Sequence, residues 1–354
     1  MKNIKYNILI CLFIMFIGVK FNISAQENGS FENVIKKANQ SVVLLSTNPN
    51  ADPETNASRT GLCTGTVVDN IGHVITNFHC IYKQNYIKLY YHEQTDWREY
   101  EIKIIGVDPL ADLALLKIIG KKEPIPYLEF VKDTNAISVG ADVFAIGHPM
   151  GMIWSVTKGI VSSIDRFVGH PFIKAIQTDS AINKGNSGGP LLNMKGEIVG
   201  INTLIVSTIS ENAGIGLAIR SDIVKTSLNS MLMFGKVDRP AIGVMVVPLN
   251  LKKQREKIIT KFPEIDPEFV PNTFGVFVLP NDSFPPDLNK FDTIIGINGV
   301  IINTGLQFSN EIYKYNIGET VALTIVRKRR FLIVNVLLKR LFINADVMYA
   351  SIRE

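Results

Sequence analysis

The chain has 354 residues, room for two domains of ordinary size, because single hydrophobic cores stop growing near roughly 250 residues. Hydrophobic residues make up 46% and charged residues 19%, which excludes a disordered or fibrous chain. The formal net charge is +5, but Lys2, Lys5 and Lys20 fall in the first 25 residues without an acid, so the remainder carries 5 − 3 = +2 and gives no electrostatic case for nucleic acid.

Those first 25 residues read as an export signal, with Lys2 and Lys5 as a basic start, an apolar run from Ile8 to Val19, and small residues at Ser24-Ala25. Cleavage is expected after Ala25. The run spans 12 residues where a membrane-crossing helix takes roughly 20, so membrane attachment is expected only if the signal stays uncleaved. Cys11 leaves with the signal, and Cys63 and Cys80 remain as an even pair in an exported chain, which favours a disulfide. Metal binding is the competing reading, but two cysteines without a partner CxxC or paired histidines make a poor zinc set. No metal and no cofactor are expected.

In chain order, Ser30 to Ala38 reads as a short amphipathic helix, with Ser30 as its cap and Phe31, Val34 and Ala38 on one side. From Ser41 to about Thr203 short apolar or alternating runs follow one another: Val42–Leu45, Gly65–Val68, Val74–Thr76, Ile87–Tyr91, Leu113–Ile118, Val143–Ile146 and Ile198–Ile201. Turn residues separate them, the pattern of an antiparallel barrel or sandwich. Ser221 to Phe234 has helical spacing and stops before Gly235, closing a first domain over 26–235. The polar, proline-marked segment Lys236–Pro240 then leads to a second domain over 241–342, with a tail at 343–354. Its strand-like runs are Ile242–Val247, Gly275–Leu279, Thr293–Ile297, Thr320–Val326 and Phe331–Leu338, with a helical stretch near Leu306–Tyr315.

Acyl transfer by a serine needs a base, a carboxylate that fixes the base's tautomer, and donors aimed at the developing oxyanion. His79 follows the strand-like run ending at Thr76. Asp112 leads directly into the apolar run Leu113–Leu116, which makes it preferable to Asp108, whose neighbour Pro109 marks a turn. Gly185-Asn186-Ser187-Gly188-Gly189 is a glycine-rich turn that exposes Ser187 and directs the Gly185 and Ser187 amides to one point. His148, beside Pro149, reads as structural, and His73, His92 and His170 have no partner motif.

These motifs, with Ile75–His79, Asp112–Lys117, Ile146–Gly151, Gly185–Pro190 and Gly214–Ile219, resemble the HtrA/Deg family of serine proteases over about residues 31–340. The resemblance implies a mainly β fold: a chymotrypsin-like double six-stranded β-barrel with the cleft between barrels, then an α+β PDZ domain. It further implies a periplasmic endopeptidase acting on unfolded proteins, peptide C-termini bound at the PDZ domain, and a homotrimer built through residues 31–46. Cys63 and Cys80 sit where digestive chymotrypsin-like enzymes carry the disulfide beside the active histidine. Two departures are Arg220, where the family usually has proline, and Phe291, in place of the glycine of the PDZ "GD" turn. Ile242, Gly243, Val244, Phe308 and Ile312 are candidates for the peptide groove, with core packing the competing reading.

In the chymotrypsin arrangement Ala181 becomes the floor of the pocket for the side chain before the cut, with Ile182 beside it and Gly216, Leu217 and Ala218 as the far wall. Thr203, Leu204 and Ile205 would pair with the substrate backbone. An alanine floor favours Val, Ile, Ala and Leu and disfavours charged side chains, whose unpaired burial costs several kcal/mol. A nonenzymatic chaperone would predict a damaged triad, and a glutamyl-specific enzyme would need a basic pocket, for which Arg220 is the nearest candidate.

Overall fold

The computed structural model describes residues 30–53, 61–93, 96–122, 124–149, 152, 154–168, 170–203, 214–250, 252–272, 274–280 and 285–341. The expected signal and tail, and Leu204 and Ile205, lie outside these. Among the described residues the first half is an antiparallel sheet of seven strands: β1 Val42–Ser46, β2 Leu62–Val67, β3 His73–Thr76, β4 Lys88–Glu93, β5 Asp96–Tyr100, β6 Ile102–Asp108 and β7 Leu113–Ile118. Their order is β5-β4-β1-β2-β3-β7-β6. β7, flanked by β3 and β6, has five of its six residues buried, as expected of an unbroken apolar run inside a sheet. The sheet exceeds six strands because the chain continues past Tyr91 and folds back, pairing His92 with Trp97 and Tyr91 with Arg98.

The second half closes on itself. Strands β8 Asp142–Gly147, β9 Ser155–Val168, β10 His170–Thr178, β11 Pro190–Asn193, β12 Ile198–Thr203 and β13 Gly216–Arg220 form a barrel in the order β10-β13-β12-β11-β8-β9. The first helix, α1 (Phe31–Asn39), packs Phe31, Val34, Ile35 and Ala38 onto a core that includes Phe144, whose ring meets that of Phe31 edge-on at 5.0 Å. The apolar face of α1 is thus used within the chain. Ser30 caps it through its carbonyl, which accepts from Asn33 N at 2.7 Å, and its side chain makes no cap bond.

Helix α2 (Ser221–Phe234) spans the residues that the spacing predicts. Gly235 ends it at φ +71°, a left-handed conformation that costs glycine little, and its amide donates to Met231 O at 2.9 Å. The Gly235 carbonyl then accepts from Val107 N at 3.4 Å, which docks the helix end against β6.

The chain enters a second unit at β14 (Pro240–Ala241) and leaves it at β21 (Lys339–Arg340), and these two strands pair with each other. Between them lie β15 Val246–Pro248, α3 Lys252–Lys261, β16 Val276–Val278, β17 Thr293–Ile297, β18 Val300–Ile301, α4 Gly305–Ile312, β19 Thr320–Arg327 and β20 Arg330–Leu337. The sheet runs β15-β16-β17-β19-β20, with β18 on β17. The expected strand over Ile242–Val247 is broken, because Gly243 takes φ +79°. Phe291 adopts φ +73°, the conformation that the glycine of a "GD" turn supplies without strain, and its ring stacks on Phe277 at 5.9 Å. Asp292, fully buried, is held by a two-pronged bond from Arg327 at 2.7 and 2.8 Å.

Candidate active site

His79 lies in a single 3-10 turn, Phe78–Cys80, directly after β3, so its ring emerges from the end of the sheet. Its Nδ1 stands 2.7 Å from Asp112 Oδ2, and its backbone amide donates to Asp112 Oδ1 at 2.9 Å. Asp112 is held from several directions. Thr203 donates its hydroxyl to Oδ2 at 2.8 Å, and the Asp112 carbonyl accepts from Asn77 Nδ2 at 2.9 Å and Phe78 N at 3.1 Å. Asp112 is 5% exposed and adopts φ +52°. An anion accepting these bonds keeps the His79 proton on Nδ1, so the other ring nitrogen carries the lone pair.

The turn that carries Ser187 is pressed onto β2 and β3. Thr64 N donates to Ser187 O at 2.8 Å, Thr66 Oγ1 to Gly188 O at 3.0 Å, and Thr64 Oγ1 to Gly185 O at 2.6 Å. A Cβ on Gly188 would lie 2.1 Å from Thr64 O and 2.3 Å from Thr76 Oγ1, so only glycine permits this approach. Thr76 precedes His79 by three residues, and the serine turn is thereby fixed beside the histidine turn. Gly185 (φ +104°) and Ser187 are buried, yet among the described residues neither amide has an acceptor. Buried donors without partners are costly in an idle structure and useful where an oxyanion forms.

His148 is structural. It is fully buried, its Nδ1 accepts from Trp154 N at 3.2 Å, and its own amide donates to Thr64 Oγ1 at 3.1 Å, linking it to the serine turn. Burial pulls its imidazole down to about 3. His73 pairs with Asp69 at 2.5 Å, and His92 packs edge-on against Trp97 and Trp154.

Cys63 and Cys80 are joined in a disulfide that ties β2 to the histidine turn. Ala181 is exposed, and its carbonyl accepts from Thr157 Oγ1 at 3.0 Å. Gly216 closes on Ile182: a Cβ there would lie 2.6 Å from Ile182 Cγ1. Ala218 is buried in the barrel core, so among the three expected wall residues it offers no side chain to a ligand. Thr203, expected beside the substrate, pairs with Leu217 and spends its hydroxyl on Asp112, a positioning contact invisible in a sequence because 91 residues separate the partners. Arg220 is engaged by Asp222 and, at 3.3 Å, by Asp165, so it supplies no unpaired basic group. Asp108 is likewise occupied, holding Arg239 through two bonds of 2.6 Å. Ile242, Phe308 and Ile312 belong to the buried core of the second unit, with Val244 packed at its margin.

A histidine backed by a buried carboxylate, a serine on a glycine-bounded turn and two amides without acceptors among the described residues, set at the ends of β-sheet strands, form the arrangement of a trypsin-like peptidase domain, and residues 63–201 match the trypsin-like peptidase domain. The chain belongs to the HtrA/Deg family. It is 33% identical over 285 residues to the periplasmic serine endoprotease DegP of Salmonella typhimurium, covering 79% of this chain and 57% of that one. It is 34% identical to the DegP of Escherichia coli with the same coverage. The chain therefore spans little more than half the length of these relatives. Among solved structures, an HtrA-type protease AlgW bound to a decapeptide superposes with a TM-score of 0.73 at 26% identity, covering 89% of this chain and 100% of that one.

Proposed function

We propose that this chain is an exported serine endopeptidase that cleaves unfolded polypeptides, with Ser187 as nucleophile, His79 as base and Asp112 as the carboxylate that orients it. The observation that carries the reading is the His79–Asp112 pair, its Nδ1···Oδ2 distance 2.7 Å, beside a serine turn whose Gly185 and Ser187 amides lack acceptors among the described residues. In this mechanism Ser187 Oγ attacks the scissile carbonyl as its proton passes to His79. The two amides hold the oxyanion, and His79 returns the proton to the leaving amine. Water, deprotonated by the same imidazole, then hydrolyses the acyl-enzyme. The periplasm is the proposed compartment, supported by the names of the relatives. Incubation with unfolded casein tests the reading: wild type should cleave and Ser187→Ala should not. Cleavage by neither would refute it.

The cleavage preference is read from Ala181 and Ile182, two small or aliphatic side chains without charge: Val, Ile, Ala and Leu before the cut. Mass-spectrometric mapping of casein fragments checks this, and predominant cuts after Lys, Arg or Glu would overturn it. The second unit is read as a PDZ domain that takes peptide C-termini. Support comes from β15, an edge of its sheet to which an extended peptide can add, with Gly305 at the start of α4 close to Pro248 of β15. The buried positions of Phe308 and Ile312 confine any groove to their outer margins. A homotrimer remains the proposed assembly on the resemblance of residues 31–46 alone, since the apolar face of α1 packs on its own chain. Sedimentation as a monomer at micromolar concentration would reject it.

A further inference from the structure

We propose that Cys63, Cys80 and His79 form a latent site for a soft divalent cation such as Zn²⁺, opened when a dithiol reduces the disulfide and blocking His79 when filled. The two sulfurs and a ring nitrogen of His79 all lie within 4.8 Å of one another. Cys63 and His79 are partly exposed, which gives reductant and metal a way in. Thiolates and an imidazole are the donors that zinc selects, and three protein ligands with an open fourth position is a standard zinc arrangement.

The distances suit it. With Zn–S near 2.3 Å and Zn–N near 2.0 Å, a tetrahedral site separates its ligand atoms by roughly 3.5 to 3.8 Å. The three ligand atoms start within 4.8 Å of one another, and once the S–S bond is broken, rotation about the Cα–Cβ bonds parts the sulfurs and brings the set to these separations. For a cation on Nε2 the outer shell is also built. Metal-bound histidines commonly give their second N–H to a carboxylate, and Asp112 Oδ2 stands 2.7 Å from His79 Nδ1 with Thr203 holding it in place.

The chemistry balances in two steps. A dithiol transfers two electrons to the disulfide and becomes a cyclic disulfide, leaving two thiols on the protein. The cation then displaces one proton from each thiol and takes a lone pair from the imidazole. Whichever nitrogen binds, base function is lost: one faces Asp112 and the other is assigned to the Ser187 proton. The disulfide therefore acts as a guard that keeps soft metals off the catalytic histidine. Blocking rests on the proposed role of His79, whereas binding does not.

The test separates the two. Full-length Ser187→Ala protein, reduced with dithiothreitol and desalted without oxygen, is titrated with Co²⁺ as a spectroscopic stand-in for Zn²⁺. One Co²⁺ per chain with a thiolate-to-cobalt charge-transfer band is expected for the reduced chain and none for the oxidised one. The band should vanish in Cys63→Ser/Cys80→Ser, and affinity should fall at least about tenfold in His79→Ala. No band in the reduced chain, or one that survives loss of both cysteines, overturns the site. If circular dichroism shows that reduction unfolds the chain, added metal must restore the native spectrum, and failure to do so also overturns it. In the serine-bearing chain, Zn²⁺ should abolish casein cleavage only after reduction. Persistent cleavage by the metal-loaded chain overturns the blocking.

Discussion

Asp112 concentrates several demands on one residue. Its φ of +52° is a conformation that costs a non-glycine residue about 1 kcal/mol or more, and the bonds to its carbonyl from Asn77 and Phe78 hold it there. Strain of this kind persists where the surroundings fix a functional orientation. Asp112→Asn keeps the shape but removes the charge that stabilises imidazolium, and a fall in kcat of about 10⁴ is expected from the triad mechanism. Thr203→Val removes one of the carboxylate's donors, and kcat should fall by about tenfold, the worth of a hydrogen bond to a charged group. A Thr203→Val enzyme with unchanged kcat would show that the Thr203 bond is not needed to orient Asp112. His148 supplies a pH test at the same scale. Burial holds it near 3, below the 6.5 of a free imidazole, so the unfolded chain binds a proton that the native chain refuses. Its contribution is complete above about pH 6.5 and is lost as pH falls toward 3, by roughly 1.4 kcal/mol per unit. Urea unfolding at pH 7 and pH 5 should show a smaller drop for His148→Asn than for wild type, and equal drops would contradict the argument.

At the scale of elements, the disulfide fixes β2 to the turn that carries His79. It closes a loop with a sequence separation of 17, for which the chain-entropy model gives about 3 kcal/mol. Cys63→Ser/Cys80→Ser should lose roughly that much stability in urea, and a loss under 1 kcal/mol would mean that the sheet alone holds the turn. How far each element was legible in the sequence depends on how local its cause is. Leu113–Ile118 and Ser221–Phe234 carry their own signals, an unbroken apolar run and a helical period with a glycine stop, and they fold over those residues. Helix α3 leaves no signal in the sequence, because Lys252–Lys261 is mostly charged and buries only Ile258, so it offers no periodic stripe. The break at Gly243 was hidden by its apolar neighbours, since a strand pattern does not reveal a positive φ. In the site, the histidine, aspartate and serine turns were legible from local motifs, whereas the Thr203 contact exists only through the register of β12 against the rest of the fold.

Across the whole molecule, the contact of most consequence is the one between Asp108 and Arg239. Asp108 has no exposed surface, and it accepts two bonds from Arg239 at 2.6 Å, one from Ser227 of α2 at 2.6 Å and one from Ala111 N at 3.2 Å. Arg239 is the residue at which the chain passes into the second unit, and its carbonyl accepts from Leu341 N at 2.7 Å where the chain leaves that unit. One ion pair thus fastens entry, exit and α2 to the segment Asp108–Asp112, whose last residue holds His79. Tyr313, next to α4, is half-buried beside the pair, and desolvation pushes its hydroxyl above the usual value. Removing Arg239 would leave a buried carboxylate without its cation, at a cost of about 3–5 kcal/mol, far above what a surface pair is worth. Arg239→Met should therefore destabilise the chain by that order in urea. If the segment transmits the disturbance to Asp112, kcat for casein should fall while KM changes little, because the loss lies in orienting the base and not in holding substrate. Asp108→Asn, combined with Arg239→Met, removes the orphaned charge and should recover part of the stability, giving a coupling energy above about 1 kcal/mol in the double-mutant cycle. Additive losses in that cycle would show that the two residues act independently and that their contact does not fasten the second unit to the barrel.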